Sequence, residues 1–205
     1  MRAAMGLLTG ALALTMLVEQ ARPSARGPES PLKPIDDPEA YAVYASVLAG
    51  DLPAHAASAR RLVFLKETST NQSCMPSGKP LDGEWRAVVE NFKSENAQVR
   101  AIRPGFSLGL PYVVVPTEEI QALFLAAPDA ATLGWSGFYQ QYPDSGGYIS
   151  VSAVGFDRPK TRAMVYLATA CGGLCGGGTH HLLEKVNNAW REATLPGLSS
   201  CMWVS

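Results

Sequence analysis

Residues 171–181, CGGLCGGGTHH, place two cysteines, five glycines and two histidines within eleven positions. Those residue types support several chemistries. Cys171, Cys175 and one histidine could supply three ligands to a zinc-like ion, which needs three or four donors at about 2.0–2.3 Å. A strand over 179–186 would send His180 and His181 to opposite faces, however, so both cannot serve one ion. The Cys-x₃-Cys spacing also departs from the usual Cys-x₂-Cys half-site, and no metal or other cofactor is expected. A redox pair favours Cys-x-x-Cys at a helix N-terminus, where the dipole lowers a thiol pKa. Here the spacing is longer and a strand follows. Gly176, Gly177 and Gly178 could form a nest of amide donors for a carboxylate or oxyanion. A phosphate loop of the Gly-Lys-Ser/Thr kind is excluded by the residues that follow.

Nucleophilic catalysis has two sources of candidates. Ser136, Ser150 and Ser152 offer hydroxyls, but SVSAVG lacks the first glycine of a Gly-x-Ser-x-Gly elbow. Cys175 with His180 or His181 as base would make a small hydrolase or thiol-dependent enzyme, provided the thiol is not held in a disulfide. Four cysteines allow three pairings. Cys171 with Cys175 and Cys74 with Cys201 is the preferred set, because glycines give the short loop the freedom a bridge requires. An aromatic run supplies another surface: Trp135, Phe138, Tyr139 and Tyr142 recur at i, i+3, i+4 and i+7. They form either a helix face packed on a sheet or a stacking platform for a sugar or peptide.

The elements that position these residues follow from periodicity. Asp37 as N-cap, Pro38 at the first helical position and Gly50 as the stop predict a helix with Tyr41, Tyr44, Val47 and Leu48 on one side. RRLVFLKETST reads as a strand. Asp82 is expected to cap a helix over GEWRAVVENFKSEN, with Trp85, Val88, Val89 and Phe92 as its apolar face. LPYVVVP, bracketed by Pro111 and Pro116, suits an edge strand or a buried extended segment. Thr117 opens a third helix, and WSGFYQQY forms a fourth. From Tyr148 onward the period becomes extended. TRAMVYLATA is apolar on both faces, as a central strand covered on both sides would be. Asn187-Asn188 suits a two-residue hairpin turn. Helices first and strands last predict an α+β fold, with N-terminal helices packed on a C-terminal antiparallel β-meander.

Bulk composition narrows the function classes. The chain has 205 residues, 17% charged, with a formal net charge of −1. Its densest basic groups, Arg60-Arg61 and Arg158/Lys160/Arg162, read as solvated strand and turn positions, so no nucleic-acid surface is expected. Arg2 followed by the uncharged run from Ala3 to Val18 suits a signal peptide better than a membrane span, which needs about 20 apolar residues. Cleavage is expected after Ala25. The organisation is therefore read as a signal peptide over 1–25, a proline-rich flexible linker over 26–37 and a single domain over 38–205. That implies an exported protein, periplasmic or extracellular, with no membrane contact after cleavage, in a compartment where cysteines pair.

The stretch VGFDRPKTRAMVYLATACGGLCGGGTHHLLEKVNNAWREA, with GWSGFYQQYP before it and WVS after, resembles a family of exported bacterial proteins of uncharacterised function. The shared marks are VGF, CGxLCGxG, a Leu-Glu-Lys strand, a Trp and a terminal Trp-x-Ser, spanning about 134–205. The resemblance implies an integral role for Gly155, Phe156, Cys171, Cys175, Gly176 and Trp190, and brings no activity. His180 and His181 stand where the family would carry an aromatic or apolar pair. The expected function is an exported, non-catalytic binding or envelope-associated module for an unknown small molecule, glycan or peptide. Its candidate binding residues are Trp135, Tyr139, Tyr142, Gly176, Gly177, His180 and His181.

Overall fold

A computed structural model describes residues 31–50, 59–126, 134–199 and 201–204. The expected signal peptide, its cleavage site and the first part of the expected linker lie outside the described residues. Leu32–Ser205 form one compact unit. Within it, no helix of the described residues is long and apolar enough to cross a membrane.

The fold is α+β. Helix α1 spans Pro38–Gly50, and its start follows the sequence: the Asp37 carboxylate accepts a hydrogen bond from the Glu39 amide at 3.1 Å. Strand β1 (Leu62–Leu65) precedes a short helix α2 (Lys79–Asp82) and helix α3 (Arg86–Glu95). Asp82 therefore ends α2 and does not cap α3, whose flanking residue is Trp85. Strand β2 (Tyr112–Val115) leads through Pro116 into α4 (Thr117–Leu125), followed by α5 (Trp135–Gln141). The amide and hydroxyl of Thr117 both donate to the Glu67 carboxylate, at 2.7 and 2.6 Å, which anchors the first turn of α4 beside β1. Strands β3 (Tyr148–Val151), β4 (Gly155–Phe156), β5 (Arg162–Gly172), β6 (Cys175–Val186), β7 (Ala189–Glu192) and β8 (Met202–Val204) complete the chain.

All eight strands join one sheet in the order β2-β1-β3-β5-β6-β7, with β4 beside β5 and β8 beside β6. The antiparallel part is as expected: β5 and β6 pair along most of their length. Asn187 and Asn188 turn β6 into β7 with φ of 50° and 63°. The first two strands correct the expectation of a purely antiparallel sheet. β1 lies parallel to both β2 and β3, so the sheet is mixed and the N-terminal half contributes to it. The helical segment between β1 and β2 provides the long crossover that parallel neighbours need. Both strands are short and continuously apolar, as strands covered on both faces are.

Helices cover both faces, as the two-sided apolar pattern of TRAMVYLATA requires. On one face, Val43, Tyr44, Val47 and Leu48 of α1 pack on Phe64, Ile149, Val151, Val165 and Leu183. On the other, Trp85, Val88 and Phe92 meet Met164, Tyr166 and Leu182, while Ile120, Phe138 and Tyr142 meet Val63 and Val115. Strand β5 thus buries Val165 toward α1 and Met164 toward α3, the two-sided burial its sequence predicts. Polar bonds fix α1 in place. The Tyr44 hydroxyl donates to the Ser152 carbonyl at 2.8 Å. Lys185 and the Trp190 indole donate to Glu39 at 2.8 and 2.9 Å and hold its carboxyl below the usual carboxylate range.

Candidate functional site

The glycine-rich stretch is a hairpin. β5 runs out to Gly172, only Gly173 and Leu174 lie between the strands, and Gly176–Gly178 pair with Ala170, Thr169 and Ala168. Cys171 and Cys175 stand at disulfide distance, as do Cys74 and Cys201, with Cα–Cα separations of 5.1 Å in both pairs. Such pairs suit an oxidising environment. Leu174 projects at the tip, 91% exposed. Gly178 has a packing reason: a Cβ there would lie 2.4 Å from the Tyr166 hydroxyl and 2.7 Å from the Trp203 indole nitrogen. That hydroxyl accepts from the Trp203 indole at 2.6 Å and from the Asn71 side chain at 3.0 Å. Loop 71–74, β5 and β8 therefore meet over one oxygen.

The two histidines lie on opposite faces, as strand parity requires. His181 pairs with Val165 on the α1 side of the sheet, with Nδ1 3.2 Å from a Glu192 carboxylate oxygen. His180 lies between the rings of Phe92 and Tyr166, with centroids at 5.4 and 4.9 Å. Cys175 is five residues from His180 along the same strand, about 16 Å at strand rise, so the structure does not bring the thiol-and-base pair together. The Ser152 hydroxyl is also engaged in the interior: it accepts from the Tyr166 amide at 2.8 Å and donates to the Ala153 carbonyl at 2.9 Å.

His180 makes stability depend on pH. It is 8% exposed, and neither ring nitrogen completes a hydrogen bond. Burial pushes its pKa from 6.5 down to about 4, and the nearby carbonyls of Cys74 and Asn71 oppose that shift only in part. Below 6.5 the unfolded chain binds a proton that the folded chain refuses, so stability falls with acidification until the folded pKa is reached. The expected loss from this one group is about 2 kcal/mol at pH 5 and about 3 kcal/mol at pH 4. Urea denaturation of wild type and His180→Phe across pH 5–7 checks this. A slope in that window that is equal in both proteins would rule His180 out as its source.

The aromatic helix face lies in the core cluster against β1 and β3. Trp135 stacks on Tyr148 at 5.8 Å and 7°. The Tyr139 hydroxyl donates to the Cys171 carbonyl at 2.8 Å. The Tyr142 hydroxyl donates to Glu119, and burial, with that carboxylate second, pushes its pKa up. Their rings and hydroxyls thus have partners within the fold.

A cleft of about 510 Å³ lies elsewhere, where the 33–37 segment, the start of α1, one side of α3 and the β4–β5 turn converge. The 33–35 strip reaches it by pairing with Ala101: Ile35 donates to the Ala101 carbonyl at 2.9 Å, and the Ala101 amide to Lys33 at 3.0 Å. The Asn91 side chain accepts the Phe156 amide at 2.7 Å, joining α3 to β4 along the wall. Lys160 pairs with Asp37 at 2.7 Å and stands 5.4 Å from the Phe156 ring centre. Arg100 pairs with Glu95 at 2.9 Å, yet its Nε is buried with no hydrogen-bond acceptor. Asp157 accepts from the Thr161 amide and hydroxyl and from the Arg162 amide, at 2.7, 2.7 and 3.0 Å. Burial alone would raise its pKa; those bonds outweigh it and leave the carboxyl low.

Sequence reasoning missed this cleft. Its one visible signal was the basic turn at Arg158 and Lys160, which reads as an ordinary solvated turn. Among the described residues no three His, Cys, Asp or Glu side chains gather as a metal site would. Compared with known proteins, the chain matches no family model, no curated protein and no solved structure.

Proposed function

We propose that the chain is an exported, non-catalytic binding module whose ligand occupies the cleft between the 33–37 segment, α3 and the β4–β5 turn. The observation that carries this reading is the cleft itself. Three separate stretches of chain converge on it, and its walls are fixed by ion pairs and by the Asn91–Phe156 bond. Its size falls within the range that takes a small molecule, a short peptide or a sugar. The paired cysteines and the separation of Cys175 from both histidines speak against thiol catalysis at the hairpin. The disulfide-distance pairs and the apolar N-terminal run support export.

A library of small carboxylates, amines, sugars and dipeptides titrated into the ¹⁵N-labelled chain tests the reading. Ligand-dependent shifts are expected at Asn91, Phe156 and Lys160. Shifts confined to residues 171–181 would move the site to the hairpin and defeat the proposal.

A further inference from the structure

We infer that the cleft takes a ligand carrying a single carboxylate beside an apolar body; this deepens, and rests on, the placing of the binding site there. The inference comes from which charges already have partners. Four carboxylates line the cleft: Asp36, Asp37, Glu95 and Asp157. Asp36 is paired with Arg103 at 2.9 Å, Asp37 with Lys160 and Glu95 with Arg100. Asp157 is satisfied by its own turn.

The cations are not used up in the same way. Lys33 and Arg158 also line the cleft, and among the described residues neither has an ion-pair partner. Among the described residues the cleft charges left without an ion-pair partner are therefore Lys33, Arg158 and Asp157, two cations to one carboxylate, an excess that one anionic acceptor would complement. A guanidinium with no protein partner can meet a carboxylate through two parallel hydrogen bonds.

The same charges limit the anion to one unit. Asp157 stands against Lys33 and Arg158, so the unpaired charge at the cleft amounts to one positive unit. A single carboxylate neutralises it, whereas a phosphate dianion would leave the site with excess negative charge. The half-buried Phe156 ring meanwhile offers apolar surface at the cleft. An acid with a hydrocarbon body uses both features.

Benzoate, benzamide and inorganic phosphate, each titrated into the ¹⁵N-labelled chain at low salt, separate the alternatives. Benzoate is expected to shift Asn91, Phe156 and Arg158 with an affinity at least about tenfold above that of benzamide. Raising the salt should weaken it, because the two cations are exposed and screened. The Lys33→Gln/Arg158→Gln double variant should lose about tenfold in benzoate affinity with an unchanged melting temperature, since both side chains lie at the surface. If benzamide binds the cleft as tightly as benzoate, the anion inference is overturned while the site stands. Stronger binding by phosphate than by benzoate would overturn the single charge and the apolar body. No shift in the cleft with any probe would overturn both the inference and the site on which it rests.

Discussion

Replacing Cys74 and Cys201 together by serine is expected to lower stability by about 5 kcal/mol, against about 2 kcal/mol for the Cys171/Cys175 pair. The difference follows from the chain each pair closes off: the sequence separation is 127 in the first case and 4 in the second. A bridge acts mainly on the unfolded chain, and the entropy it removes grows with the logarithm of the loop. The long pair has a second, local role. Next to Cys74, Asn71 donates to the Tyr166 hydroxyl, which also receives the Trp203 indole two residues beyond Cys201. Ser77 and Ser199 exchange backbone hydrogen bonds at 3.0 and 2.8 Å on the same seam. Cutting the bridge frees the segment whose carbonyls lie beside His180, so water should reach the imidazole and the acid sensitivity predicted above should shrink. Denaturant midpoints of both double variants, with alkylation and intact mass confirming that no thiol reacts in wild type, decide the matter. Equal losses for the two pairs would mean that the long bridge stabilises nothing beyond local geometry.

How far the sequence could be read depended on whether each cue was local. The start of α1 was legible because Asp37, Pro38 and Gly50 act within one helix. The Asn187-Asn188 turn was legible because it needs only two residues with left-handed backbone. The two-sided burial of β5 and the opposed directions of His180 and His181 follow from a period of two. Asp82 misled because the usual capping residue stands before an apolar stripe, yet the intervening Gly83, Glu84 and Trp85 lie outside both helices. The parallel placement of β1 against β2 and β3 was hidden for a different reason. Nothing in LVFL or YVVV states which edge of which strand it will join, and the order of elements along the chain suggested a meander.

The cleft was hidden for the same reason on a larger scale. Lys33, Asn91, Arg100 and Lys160 each have an unremarkable local setting, and only the sheet brings them together. The aromatic face shows the converse. Its helical spacing was read correctly, but spacing alone does not tell a platform from a packed surface. In the fold Trp135 stacks on Tyr148, Tyr139 donates to the Cys171 carbonyl and Tyr142 packs on Phe138.

Gly155→Ala is expected to destabilise the protein by about 3 kcal/mol or more, beyond the usual range for a single added methyl. A Cβ at 155 would stand 2.4 Å from the Phe92 Cα and 2.5 Å from both its Cβ and its amide nitrogen. Two of those atoms are backbone, so no rotamer change can make room; α3 itself must move away from β4. That movement is resisted on both sides of the contact. Asn91 accepts the Phe156 amide at 2.7 Å, while the Asn96 side chain accepts the Ala153 amide at 2.8 Å and donates to the Ala153 carbonyl at 2.9 Å. Displacing α3 therefore strains three hydrogen bonds, two of them buried, and loosens Phe92 from His180 and Met164. Because Asn91 also walls the cleft, ligand affinity should fall with stability. Gly109→Ala provides the control: a Cβ there meets nothing within 4 Å, so its effect should stay within about 0.5 kcal/mol. Adding Phe92→Ala to Gly155→Ala should give no rescue, since the blocking atoms are those that alanine keeps. A loss under about 1 kcal/mol for Gly155→Ala, or clear rescue by Phe92→Ala, would show that α3 does not press on β4 through its backbone.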